Sequence, residues 1–240
     1  MIFLYSQNNE ADKVLEITKK LETEIPASEW AQVSLFKSYL DNNEAPKAIN
    51  AMNLVLASNK IDAKIKHRIL NEFLIFVNSN PQFTPDLEKA IGYFDTDKEV
   101  NVAKEIGKFY QNKKQLDKAV KYYELSLKKN TTEDIETNLL LLQAYTETKK
   151  FELVAKKAME MIELFPSQPQ FYYYSGLGNN QLQQFKKAKD ILETGLDYLV
   201  ETGSLEINFY IQLGEAYNGL GDFKKKELYF SKANQLLKEK

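Results

Sequence analysis

No cysteine occurs in this sequence of 240 residues, which excludes disulfides, thiolate metal sites and cysteine nucleophiles. Histidine and arginine occur once each, as His67 and Arg68. A single histidine on a lysine-rich helix face, in a chain without cysteine, argues against a zinc site and against a Ser-His-Asp triad. We therefore predict no catalytic residue, no bound metal and no cofactor, and we expect a protein that is not an enzyme.

An excess of basic charge is also missing. The chain has 32 basic and 34 acidic residues, which gives a formal net charge of −2. Nucleic-acid binding depends on neutralising several phosphates, and bidentate contacts to phosphate or guanine normally use arginine. The composition therefore argues against nucleic acid as the main partner.

No apolar run approaches the roughly 18 residues that can span a bilayer, so no transmembrane segment is predicted. The apolar start, residues 1–7, fits three explanations: a truncated first repeat, the remnant of a signal peptide, or a native start. The sequence as written is consistent with a cytoplasmic protein. A signal sequence lost upstream of Met1 would instead make the protein periplasmic or exported.

Apolar residues recur at steps of three and four, which predicts amphipathic helices. The landmark residues Leu116, Phe151, Phe185 and Phe223 are separated by 35, 34 and 38 residues, so helices are expected in repeated pairs. The alternation typical of strands is not sustained anywhere. Helix starts are predicted at Ser28, at 84–86, at Thr96 with Glu99, at Ser167 with Pro169, and at Ser204.

The segment 213–223 reads Leu-Gly-Glu-Ala-Tyr-Asn-Gly-Leu-Gly-Asp-Phe and resembles a tetratricopeptide repeat. The motif of that family has Leu-Gly, a Tyr three residues later, and a Gly-Asp-aromatic turn. Small residues at set positions let the paired helices approach closely. The residues that match them are Gly107, Gly176 and Gly214 in first helices, and Ala48, Ala119, Ala188, Gly195 and Ala233 in second helices. Leu142, Val154 and Lys226 depart from the pattern.

The resemblance implies an all-α fold, a right-handed α-solenoid of antiparallel helix pairs whose neighbouring repeats share one core. It is strong over 97–238, moderate over 1–60 and poor over 61–95. We expect a single solenoid over 1–240. Its predicted segments are a leading half repeat 1–26, a repeat 27–60, a degenerate repeat 61–95, and well-matched repeats 96–130, 131–166, 167–203 and 204–240.

In this family the first helix of each pair lines a concave groove, so the resemblance implies a partner-binding groove. Exposed side-chain amides there would pair with an extended peptide backbone. The alternative is an ordinary solvated face. The predicted groove residues are Asn101, Lys104, Lys108, Glu136, Gln143, Glu147, Tyr173, Leu177, Asn180, Asn208, Gln212, Glu215 and Asn218.

One subtype of the family grips a C-terminal carboxylate with a Lys/Asn pair, a further Asn and a Lys/Arg pair. Here Lys104 is followed one turn later by Lys108 rather than Asn. The other required positions hold Leu140, Gln170 and Tyr174. We therefore expect the chaperone-type carboxylate clamp to be absent.

Lysine recurs at one repeat position early in the second helix, at Lys47, Lys118, Lys187 and Lys225. Stacked repeats would align these lysines as a basic edge that steers an acidic partner or an anionic membrane surface. The alternative is that they only keep the helix edge solvated.

The resemblance thus implies a non-catalytic protein–protein interaction scaffold that holds a peptide or protein partner in the groove. Two alternatives stay open. One is a structural subunit that assembles through the solenoid ends and the basic edge. The other is a helical-repeat RNA binder, which the near-neutral charge disfavours.

Overall fold

The computed structural model of the chain describes residues 5, 8, 10–25, 28–94, 101–129, 134–200 and 203–238. Within these ranges the chain forms thirteen α-helices, two short 3-10 helices and no strand, so the prediction of an all-α fold is confirmed. The α-helices are α1 (Ala11–Glu24), α2 (Glu29–Asp41), α3 (Ala45–Ala57), α4 (Ala63–Ser79), α5 (Thr84–Ile91), α6 (Val102–Asn112), α7 (Leu116–Lys129), α8 (Ile135–Glu147), α9 (Phe151–Leu164), α10 (Pro169–Gln181), α11 (Phe185–Leu196), α12 (Ser204–Gly219) and α13 (Phe223–Lys238).

Each predicted segment from 27–60 onward holds two of these helices. The even-numbered helices from α2 to α12 are the first helices of the pairs, and the odd-numbered helices from α3 to α13 are the second helices. The chain divides into two compact units, residues 1–102 and residues 103–240.

In the first unit, α2 packs on α1 and α3, and α4 packs on α3 and α5. Helices two apart in the chain also touch, α2 with α4 and α3 with α5. Phe36, Met52 and Phe73 are fully buried between them. The degenerate segment departs from the regular pairs because α4 runs for 17 residues and a 3-10 helix, Pro81–Phe83, separates it from the short α5.

In the second unit, each helix from α7 to α13 packs on the next one along the chain. The first helices also lie side by side, since α10 contacts both α8 and α12. One cluster of the core joins Tyr172 of α10, Leu192 of α11 and Phe209 of α12. This cluster draws on two neighbouring pairs, so the pairs share a core.

Glycine at the small position of the first helix sits directly against a large side chain of the second helix. A Cβ atom on Gly107 would lie 2.5 Å from the Tyr123 ring, and one on Gly214 would lie 2.7 Å from the Phe230 ring. Gly176 faces Leu192 even more closely. The close approach expected from the small residues is therefore present in three pairs.

The turn between the two helices has the same backbone in five pairs. One turn residue in each has a positive φ: Asn43, Lys114, Lys149, Gln183 and Gly221, with φ from 58° to 76°. The residue that follows donates its N–H to a carbonyl five residues back, as Lys150 does to Tyr145 at 2.9 Å. This is a Schellman-type helix end, in which a left-handed residue lets the last carbonyls be satisfied.

The predicted helix starts agree with the structure at three places and differ at one. Ser28 caps α2, its Oγ accepting the N–H of Ala31, while α5 begins at Thr84 and α12 at Ser204. α10 begins at Pro169 with Gln168 before it, so Ser167 is not its cap. Thr96 and Glu99 lie outside the described residues.

Candidate functional site

The first helices of residues 103–240 form a row, which we name the first-helix face. α6, α8, α10 and α12 together carry two lysines and five glutamates, a net charge of −3. The second helices α7, α9, α11 and α13 carry 14 lysines and eight acidic residues, a net charge of +6. The two kinds of helix therefore present opposite charge, which the overall balance of the sequence conceals.

Both lysines of the first-helix face pair with the same glutamate, and each has a second acidic partner, Asp134 for Lys104 and Glu105 for Lys108. Glu136 of α8 accepts Lys104 Nζ at 3.0 Å and Lys108 Nζ at 2.8 Å. Asp134 also accepts Lys104 at 3.3 Å, and Asp134 caps α8 through the N–H of Thr137. The lysines hold the pKa of Glu136 below its usual range by hydrogen bonding, and Glu136 raises the pKa of Lys108.

A polar cleft of about 380 Å³ lies between α6 and α8. Gln143 is exposed there and donates to Glu147 Oε1 at 2.9 Å. Gln111 accepts the hydroxyl of Tyr123 at 2.6 Å, so that wall is held in place. The lining residues are Lys108, Gln111, Asn112, Lys114, Leu140, Gln143 and Glu147.

Two tyrosines of α10, the first helix that packs against α8, supply aromatic surface. Tyr173 and Tyr174 are partly buried, with ring centroids 5.1 Å apart, and Tyr173 also packs against Phe209. Burial, with Tyr173 and Glu147 nearby, raises the pKa of Tyr174 to about 12. Both phenols are thus neutral, amphipathic anchors.

Two predicted groove residues are not exposed, and the prediction is wrong for them. Leu177 is 9% exposed and Asn180 is 6% exposed. Asn180 Nδ2 donates to the main-chain oxygen of Gln212 at 2.8 Å and to its Oε1 at 3.0 Å. Asn180 therefore joins α10 to α12 as a structural residue.

The other predicted groove residues differ in exposure and position. Glu136, Gln143, Glu147, Glu215 and Asn218 are exposed. Lys104, Lys108, Tyr173, Asn208 and Gln212 are partly buried. Asn101, also partly buried, belongs to the first unit rather than to the first-helix face. Their role in binding stays a prediction.

The lysines of the predicted basic edge have a local function that the sequence did not suggest. The ammonium groups lie over tyrosine rings of the first helix in three pairs, with Lys47 over Tyr39 at 5.3 Å, Lys118 over Tyr110 at 5.0 Å and Lys225 over Tyr217 at 4.7 Å. Cation–π contacts of this kind contribute modestly at exposed sites. Lys187 has no such ring among the described residues.

Sequence reasoning also missed a repeated tyrosine–glutamate bond. The hydroxyls of Tyr39, Tyr145 and Tyr217 donate to Glu22, Glu124 and Glu193, each on the helix that precedes the tyrosine's own pair or on the second helix of the preceding pair. Burial, followed by the bond to the carboxylate, raises the pKa of each of the three phenols. A glutamate 17 to 24 residues before each tyrosine was the signal that could have revealed the bond.

The described residues contain no group of three or more His, Asp or Glu side chains that could hold a metal ion. His67 packs against the ring of Phe94, with centroids 4.9 Å apart. No helix in the ranges given above is both long and apolar enough to cross a bilayer.

Comparison with known proteins gives structural matches only. No family model and no curated protein sequence matches the chain. The C-terminal part of a TPR repeat-containing protein from Cytophaga hutchinsonii is 18% identical, covers 98% of this chain and 93% of its own, and has a TM-score of 0.52. MamA 41-end from Desulfovibrio magneticus RS-1 is 16% identical, with 71% and 97% covered and a TM-score of 0.52. The chain has a tetratricopeptide-like helical-repeat fold. A further crystal structure of MamA is 20% identical, with 67% and 94% covered and a TM-score of 0.51.

Proposed function

We propose that the protein is a non-catalytic protein-interaction scaffold of the tetratricopeptide kind, and that its first-helix face binds an extended segment of a partner protein. The observation that carries the proposal is the set of exposed amides and carboxylates on the two first helices that flank α10, Gln143 and Glu147 on α8 and Glu215 and Asn218 on α12. Tyr173 and Tyr174 lie on α10 between them as amphipathic anchors.

An extended peptide fits this chemistry because its backbone N–H and C=O groups have no internal partners. Side-chain amides both donate and accept, so they can satisfy such a backbone without reading its sequence. The net charge of −3 on the face, with both lysines paired to Glu136, favours a segment that carries basic residues. The same charge disfavours an RNA backbone on this face.

The test uses peptides selected from a random display library against the wild-type protein. Their affinities are then measured for a face variant, Glu147→Ala, Glu215→Ala and Asn218→Ala, and for a matched control, Asp197→Ala, Glu227→Ala and Asn234→Ala. Both triple variants remove two acids and one amide, and all six side chains are exposed. We expect the face variant to lose about tenfold or more in affinity and the control to stay within about twofold. Equal losses in the two variants would contradict the proposal.

A second candidate function is assembly through α13. The large apolar side chains Phe223, Leu228 and Leu237 of this helix are 64%, 51% and 53% exposed. A second copy of the chain that docks on α13 would bury part of this exposed apolar surface. Sedimentation at increasing protein concentration tests this function. A constant monomer mass, or self-association that persists in Phe223→Ser with Leu237→Ser, would count against it.

A further inference from the structure

One first helix lacks the tyrosine that closes the turn in the other regular pairs. The N–H groups after the turn bond to the carbonyls of Tyr145 and Tyr217 in two pairs, at 2.9 and 3.0 Å. In the pair α10–α11 the corresponding bond runs from Gln184 to Asn179, at 2.9 Å. The backbone thus identifies Asn179 as the residue at the tyrosine position.

The arrangement around Tyr217 has three parts: the tyrosine, the glutamate that accepts its hydroxyl, and the lysine that lies over its ring. At the corresponding positions around α10, the tyrosine and the glutamate are replaced. The glutamate that receives the phenol is the fifth residue after the small alanine of its helix, Glu124 after Ala119 and Glu193 after Ala188. On α9 the residue five after Val154 is Met159. The third part remains, because Lys187 stands eight residues after Asn179, as Lys225 does after Tyr217.

The space that a tyrosine and its glutamate would occupy here is an open cleft of about 480 Å³. It lies where α9, the end of α10 and the start of α11 meet. The lining residues are Glu152, Ala155, Lys156, Met159, Glu160, Glu163, Asn179, Leu182, Gln184 and Lys187. The cleft is therefore on the second-helix side of the pairs and separate from the first-helix face.

The amide of Asn179 is buried and only half satisfied. Its side chain is 1% exposed, and Nδ2 donates to the main-chain oxygen of Ser175 at 2.7 Å. That carbonyl can only accept, so the orientation of the amide is fixed. Oδ1 then has no hydrogen-bond partner among the described residues, although a buried acceptor normally has one.

We propose that this cleft binds a tyrosine side chain of a partner protein. The ring enters from outside, its hydroxyl donates to Asn179 Oδ1, and Lys187 covers its face as Lys225 covers Tyr217. Ala155, Met159 and Leu182 supply the apolar contacts. Since Oδ1 is itself buried, the ring must displace a lining side chain, and the unbranched Met159 is suited to move.

Other side chains fit the same cleft less well. Phenylalanine would leave the buried Oδ1 without a donor, whereas the hydroxyl of tyrosine would supply one. Lysine or arginine would also donate, and Glu152, Glu160 and Glu163 offset Lys156 and Lys187 in the lining, but neither side chain offers an aromatic ring for the Lys187 ammonium to cover. The hydroxyls of serine and threonine can donate to Oδ1, but these side chains are too small to fill the space that an aromatic ring would occupy. A phenol alone combines the ring, the donor and a neutral charge.

The proposal does not depend on binding at the first-helix face and has its own test. N-acetyl-tyrosinamide and N-acetyl-phenylalaninamide are titrated into the full chain while the NMR signals of the Asn179 side-chain amide and the Met159 methyl group are followed. We expect the tyrosine compound to shift both signals and to bind about tenfold more tightly than the phenylalanine compound. No shift at these groups, or equal binding of the two compounds, would overturn the proposal.

Three variants test the role of the Oδ1 acceptor and the role of the open cleft separately. Asn179→Leu removes the acceptor, so the preference for tyrosine over phenylalanine should disappear. Asn179→Tyr restores the internal ring and should abolish binding of both compounds. Gln181→Tyr adds the same ring on the same helix at an exposed position outside the cleft and should bind like the wild type. Undiminished preference in Asn179→Leu would refute the role of Oδ1, and the wild-type titration decides the proposal even if a variant fails to fold.

Discussion

Gly176 of α10 and Leu192 of α11 lie so close that a Cβ atom on the glycine would overlap the leucine side chain. Leu192 is completely buried, so it has no free space into which to move. Overpacking of this kind typically costs about 1–3 kcal/mol. We expect Gly176→Ala to lower the free energy of unfolding by that amount in urea titrations.

The control for this substitution is Gly203→Ala, because nothing lies within 4 Å of a Cβ atom there. We expect its unfolding midpoint to stay near that of the wild type. A Gly176→Ala protein as stable as the Gly203→Ala protein would show that the two helices can separate without cost.

The pair α8–α9 inverts the usual order of small and large residues. Leu142 stands at the position of Gly176, and Ala158 stands at the position of Leu192; both are fully buried. We infer that the two residues face each other and that the total volume is conserved. Leu142→Gly should leave a cavity and Ala158→Leu should overpack, each costing about 2 kcal/mol or more.

The double variant Leu142→Gly with Ala158→Leu recreates the arrangement of Gly176 and Leu192. We expect it to be more stable than the sum of the single effects allows, by at least about 1 kcal/mol in a double-mutant cycle. Simple additivity would mean that the two side chains do not share one space.

The raised pKa values of the buried tyrosines predict that the folded state loses stability at high pH. Burial and Glu124 raise the pKa of Tyr145 above its ordinary value of 10.0, so the folded state holds the phenol proton more tightly than the unfolded state does. This contribution is complete below about pH 10 and is lost as the pH rises through the folded-state pKa. Tyr123 and Tyr210, with pKa values raised to about 12, add to the loss in the same window.

The measurement is the free energy of unfolding at a series of pH values from neutral to above 11. Tyr145→Phe should reduce the alkaline slope, by at most about 1.4 kcal/mol per pH unit for one proton. Tyr93→Phe is the control, since Tyr93 is an exposed residue. An unchanged slope in Tyr145→Phe would contradict the assignment.

Asn180 should matter for stability more than an exposed residue of the same type. Asn180→Ala removes the two hydrogen bonds to Gln212 and leaves the main-chain oxygen of Gln212 without that donor. We expect a loss of about 1–3 kcal/mol in the free energy of unfolding. Asn218→Ala, at an exposed position, should change it by less than about 0.5 kcal/mol. Equal effects would mean that Asn180 does not join the helices.

The sequence predicted the helices and their pairing because apolar periodicity and small residues act locally. It was wrong at Leu177 and Asn180 because exposure depends on how near the neighbouring helices come. Because Gly176 and Gly178 have no side chain, Leu192 and Ala155 pack directly against two sides of α10, and residues 175–180 are all buried. A repeat-position rule, which treats all first helices alike, misses this difference.

The tyrosine–glutamate bonds could not be predicted for a similar reason. Each one joins residues on different helix pairs, so it becomes visible only when the pairs are stacked. The lysines at the basic edge were predicted as a surface feature from their spacing. Their contacts with Tyr39, Tyr110 and Tyr217 depend on the same stacking.

The five left-handed turns have a consequence for how the chain folds. Each is closed by main-chain hydrogen bonds over five residues or fewer, and four of the five use a residue other than glycine. Closing so short a loop loses little chain entropy, and contacts near in sequence form quickly. Helix hairpins should therefore appear early in folding. Amide hydrogen exchange should then occur by the opening of one hairpin at a time, rather than by unfolding of the whole unit.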